Sequence, residues 1–260
     1  MHLNFSKYQG TGNDFIIIDN RENDIHLNEE QIKFLCDRKY GIGSDGLMVL
    51  ENDDIEAFKM VYYNSDGKES TMCGNGGRCL AAFAHELGCI DYKGRFTAID
   101  GLHEVLFEGK KVCVKMKDVL EYENVDGNYF LDTGSPHFVT FIDDFQHLDI
   151  ITDAHKIRYN ERFKDDGTNV NFLMKDKEDK DAFWIRTYER GVEDETFSCG
   201  TGATAAAISA FLAGESRSTH IKLKTKGGDL FVSFDYFDGA FKNIWLKGPA
   251  TFVYKGSIEL

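Results

Sequence analysis

What the sequence lacks narrows its reading first. Its longest apolar run, roughly Ala203 to Ala213, falls short of the ~20 residues that a membrane-spanning helix needs, so no membrane partner is expected. No charged-then-apolar leader opens the chain: Met1-His2-Leu3-Asn4 runs directly into folded-looking sequence, and a cytoplasmic location is expected. Positive charge is scarce, with 30 Lys and Arg against 44 Asp and Glu and a net charge of −14. Nucleic-acid binding needs a basic surface, so no such partner is expected either. The six cysteines form no Cys-x-x-Cys pair and have no His-x-x-x-His companion, which argues against a zinc site, and no metal is expected. The glycine-rich loop 41–46 is not closed by Gly-Lys-Ser/Thr, no dinucleotide fingerprint follows a first strand, and nothing marks a Schiff-base lysine; no cofactor is expected.

What is present is a globular composition, 42% apolar and 28% charged, and a glycine–cysteine pattern that occurs twice. Residues 72–83 read Met-Cys-Gly-Asn-Gly-Gly-Arg-Cys-Leu-Ala-Ala-Phe and residues 198–209 read Ser-Cys-Gly-Thr-Gly-Ala-Thr-Ala-Ala-Ala-Ile-Ser. Each sets a cysteine ahead of a Gly-x-Gly turn and a run of small helix formers, the signature of a thiol at a helix N-terminus. There, unpaired backbone N–H groups and the positive end of the helix dipole favour an anion, either a thiolate or a bound carboxylate. Cys36, Cys79, Cys89 and Cys113 sit among apolar neighbours and read as core residues.

The repeat extends beyond the cysteines. Thr133-Gly134-Ser135-Pro136-His137-Phe138-Val139 echoes Thr11-Gly12-Asn13-Asp14-Phe15-Ile16-Ile17, and Phe183 to Glu189 echoes Phe58 to Asn64. The separations are 126 residues for the cysteines, 122 for Thr11 and Thr133 and 125 for Phe58 and Phe183. That period is too long for a solenoid and suits a duplicated domain. A helix as uniformly apolar as the one after Cys199 is buried on all sides. The expected fold is α+β: two pseudo-symmetric lobes, each of mixed and antiparallel strands around a central apolar helix, with the active site in the cleft between them. The expected division is residues 1–118, joined by a last strand in 250–260, and residues 119–249.

Two thiols facing one substrate imply a definite chemistry. A carboxylate could accept hydrogen bonds from the N–H groups of Gly74 and Asn75 on one side and Gly200 and Thr201 on the other. The sulfurs of Cys73 and Cys199 would flank the adjoining carbon; one removes a proton, the other returns one on the opposite face, and the centre inverts. A thiol redox protein that closes a Cys73–Cys199 disulfide and a non-catalytic binding protein of the same fold are the competing classes. The missing Cys-x-x-Cys speaks against the first, and the two retained cysteines against the second.

Together, residues 72–79, Tyr188-Glu189-Arg190-Gly191 and residues 198–203 resemble the diaminopimelate epimerases, and the resemblance runs from Gly10-Thr11-Gly12-Asn13-Asp14-Phe15 to the C-terminus. It implies a cofactor-independent isomerase that interconverts LL- and meso-diaminopimelate on the route to lysine and peptidoglycan. It further implies Cys73 and Cys199 as the acid–base pair, and Gly74, Asn75, Gly200 and Thr201 at the reactive end of the substrate. Asn13, Asn64, Asn169, Glu189 and Arg190 are implied as further substrate contacts, and His137 as a residue that tunes the thiol pKa values. The chain departs from the family pattern at Ser135, where many members have asparagine, and at Gly46, where some have glutamine. The proline and hydroxyproline racemases share the two-cysteine logic but usually carry histidine after the first Cys-Gly, where this chain has Asn75. The expected partner is the small-molecule substrate, and a homodimer is the one assembly left open.

Overall fold

In a computed structural model that describes residues 1–22 and 24–260, the chain divides into two units, Met1–Val114 with Gly248–Leu260 and Lys115–Lys247. The first opens with antiparallel strands β1 (His2–Gly10) and β2 (Asn13–Asp19), joined by a turn in which Thr11 and Gly12 take φ of 51° and 84°. Helix α1 (Glu29–Cys36) carries the chain to β3 (Gly46–Glu51), which pairs parallel with β2. Asn28 and Gln31 form a capping box at the start of α1. Such a cap is worth about 1 kcal/mol, less than the roughly 2 kcal/mol gained by burying Ile32 or Leu35, so packing holds this helix more than capping does. Strand β4 (Phe58–Asn64) returns antiparallel to β3 and pairs with the two-residue β5 (Glu69–Ser70). Helix α2 (Gly74–Glu86) crosses to β6 (Lys93–Ala98), parallel to β4, and β7 (Gly101–Glu108) and β8 (Lys111–Lys115) follow as an antiparallel meander.

The second unit repeats this topology. Strands β9 (Tyr122–Val125), β10 (Asn128–Asp132) and β11 (Pro136–Phe141) are antiparallel neighbours. Helix α3 (Ile150–Arg158) leads to β12 (Asn169–Lys175), parallel to β11, and β13 (Ala182–Glu189) and β14 (Asp194–Thr196) follow in antiparallel pairing. Helix α4 (Gly200–Leu212) crosses to β15 (His220–Thr225), parallel to β13, and β16 (Gly228–Phe237) and β17 (Ala240–Pro249) complete a meander. The last strand, β18 (Thr251–Glu259), lies antiparallel to β1 in the first unit, as β9 does to β10 in the second. Each parallel pair is bridged by a helix, as parallel strands require a crossover.

Burial explains the patterning. In β2 and β3, Phe15, Ile17, Met48 and Leu50 pack with Leu80, Ala81 and Ala84 of α2, while Ile16, Ile18, Leu47 and Val49 pack with Ile32 and Leu35 of α1. Both faces are covered, so these strands are apolar at nearly every position. In the second unit Val139, Leu173, Ile185, Ile221, Leu223 and Val232 enclose the alanines of α4, and Val170, Phe172 and Tyr188 pack with Ile150 and Ala154 of α3. Every α4 residue from Gly202 to Ala210 is buried, which is why that helix has no polar face.

Candidate functional site

Both thirteen-residue central helices begin immediately after a cysteine: Cys73 is the N-cap of α2 and Cys199 the N-cap of α4, each in extended backbone conformation. The first N–H groups of a helix have no intrahelical acceptor, so each thiol stands beside donors turned toward whatever occupies the helix end. The glycines make close packing of these first turns possible. A Cβ on Gly76 would come within 3.2 Å of Met48 Sδ, and one on Gly202 within 2.6 Å of Asn171 Oδ1.

In the first unit, Cys73 is half-buried and its Sγ lies 3.8 Å from Asn13 Oδ1, to which Asn75 Nδ2 also donates at 3.5 Å. Asn13 is held in turn, its Nδ2 donating to Asp45 Oδ2 at 2.7 Å. Arg38 reaches Asp45 Oδ1 at 2.7 Å and Asp14 Oδ1 at 2.6 Å, and Lys7 pairs with Asp14 at 2.7 Å and donates to the Gly43 carbonyl. Burial raises the Asp14 carboxyl, but the hydrogen bonds and charges of Arg38 and Lys7 outweigh it and hold its pKa down to about 2. Asn64 is exposed at the end of β4, where its carbonyl accepts from Gly67 N–H in a tight turn. It lies opposite Gly46 in the β3–β4 register. A Cβ at Gly46 would fall 2.6 Å from the Tyr62 ring and 2.7 Å from the Tyr63 carbonyl, so Tyr62 packing excludes any larger residue there.

In the second unit, Cys199 Sγ accepts from Gly202 N–H at 3.4 Å and lies 3.3 Å from the Thr201 hydroxyl. Hydrogen bonds to sulfur favour the thiolate. Thr133 donates to the Thr201 carbonyl at 2.8 Å, tying the β10–β11 turn to the first turn of α4. A narrow recess lined by Ile185, Thr187, Thr196, Phe197, Ser198 and Thr225 adjoins Cys199.

His137, on β11, is fully buried behind that turn; the point where a Gly202 Cβ would sit is 3.3 Å from both His137 Cε1 and Cys199 Cβ. Its protonation state follows from its neighbours. Asn171 Nδ2 donates to the Phe138 carbonyl at 3.2 Å, which identifies it as nitrogen, and it donates also to His137 Nδ1 at 3.1 Å. Thr187 Oγ1 donates to Asn171 Oδ1 at 2.9 Å. Nδ1 is therefore an acceptor and the ring proton resides on Nε2, a buried atom with no hydrogen-bond partner among the described residues. Burial pushes the imidazole down to about 3, against the opposing charge of Asp132 and with a smaller push in the same direction from Arg190. At neutral pH His137 acts on its surroundings as a neutral N–H dipole and not as a cation.

Asn169, Ser135 and Arg190 form one bracket. Asn169 Nδ2 donates to Ser135 Oγ at 2.6 Å and to the Pro136 carbonyl at 2.9 Å, and its Oδ1 accepts from Arg190 N–H at 2.9 Å. Arg190 is exposed just beyond β13, with Nη1 donating to the Asp166 carbonyl at 2.8 Å, while Glu189 closes the strand half-buried. A salt bridge from Arg158 and hydrogen bonds from Tyr159 and Tyr188 fix Glu193 in the turn that follows.

Within the first unit Cys73, Asn13 and Asn75 are thus brought together, and within the second Cys199, Gly200, Thr201 and His137, with Asn169, Glu189 and Arg190 around the end of β13. The sequence reading did not single out Arg78, Asp45, Asn171 or Thr187. Arg78 alone left a signal, an arginine inside an otherwise small and apolar helix. Among the described residues no group of three or more His, Cys, Asp or Glu side chains is placed to hold a metal ion, and no helix is long and apolar enough to cross a membrane.

Comparison with known proteins gives a consistent result. Residues 5–117 and 129–253 match the family model for diaminopimelate epimerase. The chain is 52% identical over 254 residues to a diaminopimelate epimerase of Flavobacterium psychrophilum, covering 97% of this chain and 98% of the relative. It is 43% identical over 262 residues to a diaminopimelate epimerase of Chlorobaculum tepidum, covering 96% and 99%. In structure it is similar to a PhzF-family phenazine biosynthesis protein of Bacillus anthracis, with a TM-score of 0.75, full coverage of both chains and 11% identity, a likeness of fold alone.

Proposed function

The chain belongs to the diaminopimelate epimerase family, and from that membership we propose that it interconverts LL- and meso-2,6-diaminopimelate by proton transfer between Cys73 and Cys199 at one α-carbon, supplying lysine and peptidoglycan precursors. The observation that carries the reading is the duplicated setting of the two thiols, each the N-cap of a largely buried thirteen-residue helix in topologically equivalent positions. One thiolate takes the α-proton and becomes a thiol. The opposite thiol delivers its proton to the other face and becomes the thiolate, so each turnover leaves the pair exchanged and the reverse reaction primed.

The substrate carboxylate beside the reacting carbon accepts from the N–H groups of Gly74 and Asn75 and of Gly200 and Thr201, and as the carbanion forms, its charge moves onto oxygens those donors already face. Asn13, Asn64, Asn169, Glu189 and Arg190 make the further substrate contacts, with the Arg190 guanidinium suited to the distal carboxylate. His137, held neutral, steadies the Cys199 side. Two thiols suffice for both proton transfers, so the reaction needs no cofactor. The enzyme works in the cytoplasm, and size-exclusion chromatography tests whether it does so as a homodimer.

Cys73→Ala and Cys199→Ala test the assignment. Each is expected to lower epimerisation by about 10³-fold, the middle of the range for losing a general acid or base, while diaminopimelate still binds by calorimetry. Equal or faster exchange of the α-hydrogen of proline under the same conditions would overturn the substrate assignment.

A further inference from the structure

Arg78 is fully buried in the core of the first unit, and none of its hydrogen-bond partners carries a charge. Nη1 donates to the Gly74 carbonyl at 3.1 Å, Nη2 to Asn75 Oδ1 at 2.8 Å and to Thr11 Oγ1 at 3.4 Å, and Nε to the Pro249 carbonyl at 3.3 Å. A guanidinium does not give up its proton in a protein, so the fold carries a full positive charge here with, among the described residues, no carboxylate paired with it. The side chain folds back along its own helix toward Gly74, placing that charge at the N-terminal end of α2, the end at which the helix dipole already disfavours cations. Broken local rules of this kind collect at functional sites, and what this position lacks is an anion at the head of α2.

Resting on the acid–base role given above to Cys73, we propose that Arg78 is the positioning residue of that half of the reaction: its charge favours the Cys73 thiolate, and its bond to Asn75 Oδ1 turns the Asn75 amide N–H groups toward Asn13 and the substrate. The path is short. Arg78 holds Asn75 by its oxygen, Asn75 Nδ2 donates to Asn13 Oδ1, and the Cys73 thiol donates to that same oxygen at 3.8 Å, a bond that favours the neutral thiol and that the Arg78 charge opposes through space. Other titratable groups face this corner without supplying the charge. Burial pushes the Cys79 thiol on α2 up to about 12, so it stays neutral, and burial raises the Tyr8 phenol on β1, which donates to Glu86. Cys113 on β8 is a buried thiol close enough to interact with the Arg78 charge. Asp14 on β2 is neutralised by Lys7 of β1 and by Arg38. Asp100, between β6 and β7, accepts from Met72 N–H and from His103, and its negative charge works against the thiolate.

The test reads the thiols and needs no turnover. In the full-length protein the rate of iodoacetamide alkylation at Cys73 and at Cys199 is followed against pH by peptide mass spectrometry, for wild type, Arg78→Met and Arg78→Lys. Arg78→Met is expected to move the Cys73 midpoint up by about one pH unit, the size of shift a nearby opposite charge produces, with the Cys199 midpoint unmoved. Arg78→Lys, which keeps the charge and loses the bond to Asn75, is expected to hold the low midpoint and raise KM. A loss of thermal stability with both midpoints unchanged, or an equal shift of both, would reduce Arg78 to a packing residue and overturn the proposal. Should Arg78→Met not fold, a wild-type Cys73 midpoint at or above the ~8.5 of a free thiol, or an Arg78→Lys midpoint that has risen to it, overturns it equally. Failure of the protein to epimerise diaminopimelate would strike the functional reading and leave these midpoints as they are.

Discussion

At the scale of single residues, the environments of the two thiols differ in what holds them. Cys199 is braced by its own helix, through Gly202 N–H and the Thr201 hydroxyl, whereas Cys73 leans on a side-chain network through Asn13 to Asp45 and Arg38. Gly202 has a consequence that can be measured. Alanine inside a helix is ordinarily better than glycine by about 1 kcal/mol, but a Cβ here would collide with Asn171 Oδ1 at 2.6 Å, and Asn171 is what fixes the His137 ring. Gly202→Ala is therefore expected to lower the melting temperature and to reduce kcat/KM by at least about tenfold, a loss of about 1.4 kcal/mol in transition-state binding; an unchanged or raised melting temperature would mean that Asn171 yields freely. Asn171→Asp sets a carboxylate against His137 Nδ1. It is expected to move the ring proton to Nδ1, visible in the ¹⁵N shifts of the imidazole, whereas wild type keeps the Nε2–H tautomer from pH 5 to 9. The sequence reading could reach the cysteines because the Cys-Gly-x-Gly context is local. It could not reach Asn171 and Thr187, whose work is done across strands, from β12 and β13 to β11.

At the scale of elements, the central helices show why small residues were chosen. Ala203, Ala205, Ala206, Ala207 and Ala210 of α4 are all fully buried against strand side chains. Ala206→Leu adds three carbons where no room exists and is expected to cost about 1–3 kcal/mol in urea unfolding, against less than about 0.5 kcal/mol for Lys33→Ala on the exposed side of α1. An Ala206→Leu protein as stable as wild type would show slack beside α4. Such helices are legible from sequence, since a run of alanine and glycine without a polar face has no other stable place than a core. The strands around Phe15 to Ile18 and Leu47 to Leu50 are legible too, as short apolar runs that follow glycine-rich turns. Helix α3 was not, because its buried contribution is reduced to Ile150 and Ala154 among charged neighbours. Gly46 read as a missing side chain, and only the Tyr62 ring shows why nothing larger fits.

At the scale of the whole molecule, His137 stands apart from the depressed carboxylates in its response to acid, because its loss begins nearest neutrality. The His137 pKa is depressed from 6.5 in the unfolded chain to about 3 in the folded one, so the unfolded state binds a proton first as pH falls. Stability is then lost progressively from about pH 6.5 toward pH 3, with a slope of up to about 1.4 kcal/mol per pH unit. Asp14, depressed from 3.8 to about 2, adds its own loss only below about pH 4. Urea unfolding at pH 7 and pH 5 is expected to show a loss at pH 5 that His137→Gln removes, and a pH-independent wild type over that range would contradict the buried neutral imidazole. The duplication visible in the sequence extends through the alternation of parallel and antiparallel pairings in both units, each with a cysteine at the head of its central helix.

The claim on which the functional account depends is that two different bases work on opposite faces of one carbon. It is tested most directly by starting wild-type protein on LL-diaminopimelate in deuterated water and analysing the first few per cent of reaction. The account predicts that newly formed meso product carries one solvent deuterium at its inverted α-carbon, while the remaining LL substrate carries none. Early product that retains the original hydrogen would show a single base carrying the proton from one face to the other, and would contradict the two-thiol mechanism.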